Sequence, residues 1–312
     1  MVEQRCGDPL RWARGGVASA PVGRTLTILG SWTFDPVLGT GILLAALAYG
    51  WAVHQVNRRQ SASPWPRRYT ISFMSALAIA WISLLGPIGA YDDTFFWAHM
   101  LQHIAQMMLI APLLLLGAPV LLVLRVSTRA VRHEWVIPVL RSRVLAWLTN
   151  PVVGWLIFAG VLIGTHFSPF YEFALEHPLV HDYLEHPLYL GAALIYYYPL
   201  LSANPGPRRI PYGLRAASLF TMMFPETMTG FFIYASNYLL YPYYGRVHRP
   251  FGPSPITDQQ LGGALMWAGS MLIDSVWVII AVVDWLRSEG RLAERIDMQT
   301  LRELPALPGR PS

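Results

Sequence analysis

The residues of this chain that could do chemistry are its histidines. His99 and His103 stand four apart, a spacing that on a helix stacks both imidazoles on one face about one turn apart and suits two ligands to one metal ion. Gln106 and Met107 continue that face. The structural alternative for such a pair is hydrogen bonding to headgroups or neighbouring helices. His166, His177, His181, His186 and His248 follow, and any one of them alone reads equally as a packed, hydrogen-bonded side chain. The single cysteine, Cys6, excludes an internal disulfide framework and a CxxC thiolate pair, so metal chemistry here must use His, Met and carboxylates. Thioether and imidazole without thiolate favour copper, particularly Cu(I), over zinc or magnesium. Met100 stands out because it neighbours His99, whereas Met107, Met108, Met222, Met223, Met228, Met266 and Met271 read mainly as packing residues.

Three acids belong beside the histidines. Asp258, in Thr257-Asp258-Gln259-Gln260, falls where the last apolar segment begins and has the position of a helix N-cap. Glu226 and Asp274 lie near the middle of the last two apolar segments. A carboxyl there needs a partner or a wet cavity, so the readings are a proton or cation route and a protonated group hydrogen-bonded between helices. There is no Walker-type Gly-Lys loop, no GxSxG and no HExxH, since Gln102 rather than a glutamate precedes His103. A hydrolase or ATPase has no support, and the chain reads as a nucleotide-free protein that is not an enzyme.

The elements that must position these residues are membrane helices. The chain has 312 residues, 54% hydrophobic and 13% charged, where soluble domains carry about 25% charge. Apolar windows of spanning length fall at 36–54, 70–90, 95–116, 147–167, 182–202, 213–240 and 258–286. They predict an all-α, polytopic bundle of about seven transmembrane helices over 36–286, with a polar N-terminal tail (1–35) and a C-terminal tail (287–312). Pro112 predicts a kink in the third span, and Gly117-Ala118-Pro119 a break after it. All 23 basic residues are arginine; 17 lie in the tail and loops of one side and six on the other. The positive-inside rule then places the N-terminus outside and the C-terminus in the cytoplasm of a plasma-membrane protein. On that topology seven of the nine histidines lie at the outer face, and only His54 and His133 do not. The basic charge is topological and implies the lipid bilayer, not nucleic acid, as partner. Trp97, Tyr171, Tyr238, Tyr241, Tyr243 and Tyr244 read as an outer aromatic belt.

The ordered set His99-Met100-Leu101-Gln102-His103, Ala111-Pro112, Gly117-Ala118-Pro119, Thr165-His166-Phe167-Ser168-Pro169, His181 through His186, and Asp258-Gln259-Gln260-Leu261-Gly262-Gly263 with Met266-Trp267 resembles the CtaG family of cytochrome c oxidase assembly factors, associated with caa-type haem-copper oxidases. The resemblance runs from about Trp32 to Trp285. It implies a multipass protein that helps build the oxidase at the step where copper enters, with oxidase subunits and an external copper chaperone as partners. The family's histidines carry over to His99, His103, His166 and His186, and its last motif to Asp258 and Gln259. His181 departs from the family spacing, because four residues separate it from His186 and turn the two about 140° apart on a regular α-helix. Thr165 stands where the family often has Trp. Two other readings stay open: a haem-binding membrane protein, with histidines of two helices as axial ligands, and a metal-free scaffold for oxidase subunits.

Overall fold

Backbone groups in a bilayer must be satisfied within the chain, which leaves helices or closed barrels. In the computed structural model, which describes residues 30–303 except 34, 202, 203, 207–209 and 250, the described residues form helices and connections and no strand. The polar tail with Cys6 lies outside the described residues up to residue 29. We number the main helices α1 (Pro36–Arg59), α2 (Arg67–Leu85), α3 (96–116), α4 (Pro119–Val126), α5 (Pro151–His166), α6 (Phe170–Glu176), α7 (181–201), α8 (Tyr212–Ala235) and α9 (255–303). Short helical turns fill 129–148 and 243–246.

Among the described residues, four helices are long and apolar enough to cross a membrane: Pro36–Arg59, Arg67–Leu85, Phe96–Val126 and Pro255–Gln299. Pro151–His166 and Phe170–Glu176, bent by 66°, make a fifth if the pair counts as one span. The expected spans 182–202 and 213–240 are helices but fall short of that standard. The regular α-helix of α7 is only 16 residues, behind an opening turn that carries Asp182 and Glu185, and α8 carries Arg215, Pro225 and Glu226. The final helix runs on to Glu303, beyond the expected end at 286.

Local chemistry sets the breaks. Gly117 ends α3, Ala118 takes a left-handed conformation (φ 51°), and Pro119 opens α4, since proline is preorganised for a first turn. The kink expected at Pro112 is preceded by a π-helical turn at Ala105–Ile110. Further π turns occur at Trp81–Leu85, His181–Glu185 and Leu265–Gly269. Such turns add a residue to the helical repeat and are common at functional sites.

The core packs α3 and α5 against α7, and α8 against α9. Small residues permit the closest approaches, as is usual between membrane helices. A Cβ on Gly262 would lie 2.3 Å from the Phe96 ring, and one on Gly263 would meet the Tyr234 amide nitrogen of α8 at 2.5 Å. Trp277 donates its indole N–H to the Met108 carbonyl at 2.9 Å, pinning α9 to α3.

Candidate metal centre

The site is built on the first turns of α3. Its amide donors have no partner within the helix. Asp258 of α9 supplies one: Phe96 N–H donates to Oδ2 at 2.9 Å and Trp97 N–H to Oδ1 at 3.1 Å, while Arg249 Nη1 pairs with Oδ2 at 2.8 Å. The expected capping role of Asp258 on its own helix is thus corrected. Ser254 caps that helix, and Asp258, fully buried, caps the neighbour, where a carboxylate also meets the positive end of the helix dipole. Gln259 accepts from Leu240 N–H at 2.7 Å and donates to the Tyr238 carbonyl at 3.1 Å, fixing the segment after α8. The matched Asp258-Gln259 pair therefore positions α3 and sits apart from the histidines.

His99 and His103 project from α3 with ring centroids 4.2 Å apart. Their Nε2 atoms each lie 3.5 Å from Oε1 of Glu185 on α7, whose Oε2 is 2.8 Å from His181 Nδ1. His181 Nε2 in turn lies 3.6 Å from Asp92 Oδ2 in the connection before α3. His181 and His186, expected to diverge by about 140°, have ring centroids 4.9 Å apart. The α-helical angle does not apply because His181–Glu185 is a π turn, whose i→i+5 repeat brings residues five apart onto one face. His166 sits deeper, 5.9 Å from His103 by ring centroid, with Nδ1 2.7 Å from the Leu162 carbonyl.

Donor atoms of His99, His181 and Glu185 all lie within 4.8 Å of one another, as do those of Asp92, His181 and His186. Both ring nitrogens of His99 and of His103, and Nε2 of His166, His181 and His186, are buried with no hydrogen-bond partner, as is Glu185 Oε1. The 3.5 Å separations are long for hydrogen bonds. They are close to the roughly 3.3 Å between two ligands of a tetrahedral ion with bonds of about 2.0 Å. Burial pushes the Asp92 carboxyl up, but His181 beside it outweighs this and holds it below the usual carboxylate range.

Around the cluster stands a wall of tyrosines. Tyr171, Tyr241 and Tyr244, expected in a surface belt, are buried, and Tyr189 lies 4.1 Å from the His103 ring. Tyr244 donates to the Asp92 carbonyl and Tyr241 to the His166 carbonyl. Their amphipathic rings serve the protein interior because the connections after α5 and α8 fold over the site instead of facing headgroups. Tyr238 is exposed, as a belt residue would be.

Other predicted residues fall elsewhere. Met100 is buried and lines a cavity with His103, away from Glu185. His177 is exposed and bonded to the Phe173 carbonyl, and His248, His54 and His133 are exposed. Glu226 and Asp274 are buried neighbours between α8 and α9. Sequence reasoning missed Glu185 and Asp92. The available signals were the i,i+4 spacing of His181 and Glu185 and the acidic pair Asp92-Asp93 seven residues before His99.

Residues 47–288, which include the whole cluster, match the family model described as cytochrome c oxidase caa3 assembly factor. The chain belongs to this family. It is 28% identical over 284 residues to uncharacterized protein Mb0105 of Mycobacterium bovis and to uncharacterized protein MT0111 of Mycobacterium tuberculosis, covering 88% of this chain and 42% of each relative. Uncharacterized protein ML1998 of Mycobacterium leprae is 28% identical over 274 residues, covering 85% of this chain and 41% of the relative. The chain thus spans less than half the length of the curated relatives it matches. No solved structure matches it.

In this family member the donor set at Glu185 is imidazole and carboxylate. Imidazole suits copper, zinc, iron and nickel, and among the described residues no cysteine joins the set.

Proposed function

We propose that this assembly factor binds copper at the outer face of a seven-helix bundle and assists its insertion into a haem-copper oxidase. The observation that carries the reading is the set of buried ring nitrogens without hydrogen-bond partners on His99, His103, His181 and His186, those of His99 and His103 facing Glu185 and that of His181 facing Asp92. Unpaired polar atoms are costly in an apolar interior, and a metal ion would satisfy several of them together. His99, His103, His181 and His186 would hold the ion with Glu185 and Asp92, and His166 would stand beneath them. An open set of imidazoles and carboxylates suits an ion that must be released again. Ring centroids 4.2 to 4.9 Å apart leave no room for a porphyrin between His99 and His103, His99 and His181 or His181 and His186, so a haem would have to use the His103–His166 or His103–His186 pair at 5.9 and 6.4 Å, and a metal-free scaffold gives no reason for the unmet donors and acceptors. The arginine asymmetry supports an external N-terminus and a cytoplasmic C-terminus in the plasma membrane, and membership of an oxidase assembly-factor family supports oxidase subunits as partners, with an external copper chaperone as the source of the ion.

Metal analysis on protein purified from copper-supplied cells tests the first step, with stoichiometric copper expected. Cells carrying His99→Ala at normal protein level should make oxidase that contains haem but lacks copper, and excess copper should partly restore activity by mass action. An oxidase lacking haem while retaining copper would turn the reading to haem handling. For orientation, with Cys6 replaced, a cysteine introduced within 168–181 should react with an impermeant thiol reagent on intact cells and one within 60–66 should not; the reverse pattern overturns the external site.

A further inference from the structure

Beneath the histidine cluster the fold encloses a second compartment. It is a small cavity between α3, α5, α8 and α9, with room for one water-sized body. His103 and His166 form its outer side, and Glu226 and Ser270 its inner side. Four thioethers line its wall: Met100, Met107 and Met108 of α3 and Met266 of α9. Glu185 and His181 do not border it.

The polar atoms facing this space are unmet. Glu226 is 1% exposed, and apart from the neighbouring Asp274 carboxyl its oxygens have no hydrogen-bond partner; His166 Nε2 and Ser270 Oγ have none. Asp274 stands beside Glu226 with Oδ2 also unpartnered. Two carboxyls side by side in a low-dielectric interior hold at most about one negative charge between them, which one monovalent cation balances. A divalent ion would leave a second charge uncompensated in an apolar chamber. Thioether and imidazole together select soft cations, Cu(I) foremost.

We propose that this chamber is a second, deeper cation site selective for Cu(I), with methionine thioethers and His166 Nε2 as ligands and Glu226 as counter-charge. It rests on the copper reading of the outer cluster for the supply of the ion and shares His103 with that cluster as a lining residue, while the thioethers and Glu226 belong to the chamber. The two compartments differ in softness: nitrogen and oxygen donors outside, sulfur and nitrogen within.

The test uses the full chain with Cys6 replaced, so that no thiol competes for soft ions, in detergent with Ag(I) as a redox-inert monovalent probe and Zn(II) as a divalent probe. Silver should bind in two classes and zinc only in the outer one. Glu226→Gln should abolish one silver class and leave zinc binding unchanged. Met107→Leu with Met266→Leu, a pair of volume-conserving changes that keeps the test valid should Glu226→Gln fail to fold, should weaken the same class about 10-fold or more while sparing zinc. Glu185→Gln should do the opposite. X-ray absorption of Cu(I)-loaded protein should show sulfur neighbours that the methionine variant loses. Silver binding unaltered by either inner variant, or zinc entering the chamber in a Glu226-dependent way, overturns the proposal. If the outer reading is the one that fails, zinc binding is absent while Glu226-dependent silver binding persists.

Discussion

Two buried polar clusters meet the same end of α3, and they are built on opposite principles. In the Asp258–Arg249–Gln259 seam, both carboxylate oxygens of Asp258 and both ends of the Gln259 amide are engaged with backbone or guanidinium partners at 2.7 to 3.1 Å. In the histidine cluster, an equally buried set of ring nitrogens face one another and Glu185 without closing hydrogen bonds. Burial alone therefore does not separate a structural group from a binding group; the difference lies in whether the folded chain already satisfies it. The seam offsets its desolvation within the protein, whereas the cluster leaves that cost to be met by a ligand.

The largest effect is expected in the seam. Asp258→Ala takes the ion pair from the largely buried Arg249, which keeps only its bonds to the Pro253 and Tyr244 carbonyls, and uncaps the first α3 amides, a loss of about 3 kcal/mol of stability. Thermal unfolding in detergent should show it, together with reduced membrane abundance; an unchanged melting temperature would mean that the seam does not hold α3.

In the cluster the expectation reverses. His99→Ala, His103→Ala or Glu185→Gln should lower metal affinity about 10- to 100-fold or more, since losing a direct ligand costs at least what losing its support does. Stability without metal should fall less than in the seam, because in His99→Ala and His103→Ala the removal of an unsatisfied buried group offsets part of the cost of the cavity. Competition titration with a chelator reads the affinity, and His133→Ala serves as the neutral control. A cluster variant that unfolds the protein as Asp258→Ala does would erase the contrast between the two regions.

Smaller effects sharpen it. Gly262→Ala drives a methyl group into the Phe96 ring and should cost about 1–3 kcal/mol by overpacking. Gln259→Leu removes two hydrogen bonds, each worth about 1 kcal/mol, and should lower the melting temperature while leaving metal affinity per folded molecule unchanged. A drop in affinity with Gln259→Leu would place the seam inside the binding machinery.

The all-helical, membrane-type character was legible in composition, and the break at Gly117-Ala118-Pro119 in its residues, because both depend on local properties of the chain. The spacing of His99 and His103 was legible for the same reason: one helix fixes it. Glu185 and Asp92 were not, because Glu185 gains its value by facing α3 from α7 and Asp92 by facing His181 of α7 from the connection before α3, and the local spacing of these acids does not say which distant imidazole they will meet. His181 was misjudged because the regular helical angle assumes an α repeat, and a π turn replaces it at 181–185. Asp258 looked like a cap for its own helix, and only the crossing of α9 against α3, at Gly262, let it cap another. The sequence by itself determined which segments are helical and apolar and which residue types they carry. Tertiary packing alone decided which polar atoms found partners, because that depends on distances between helices far apart in the chain.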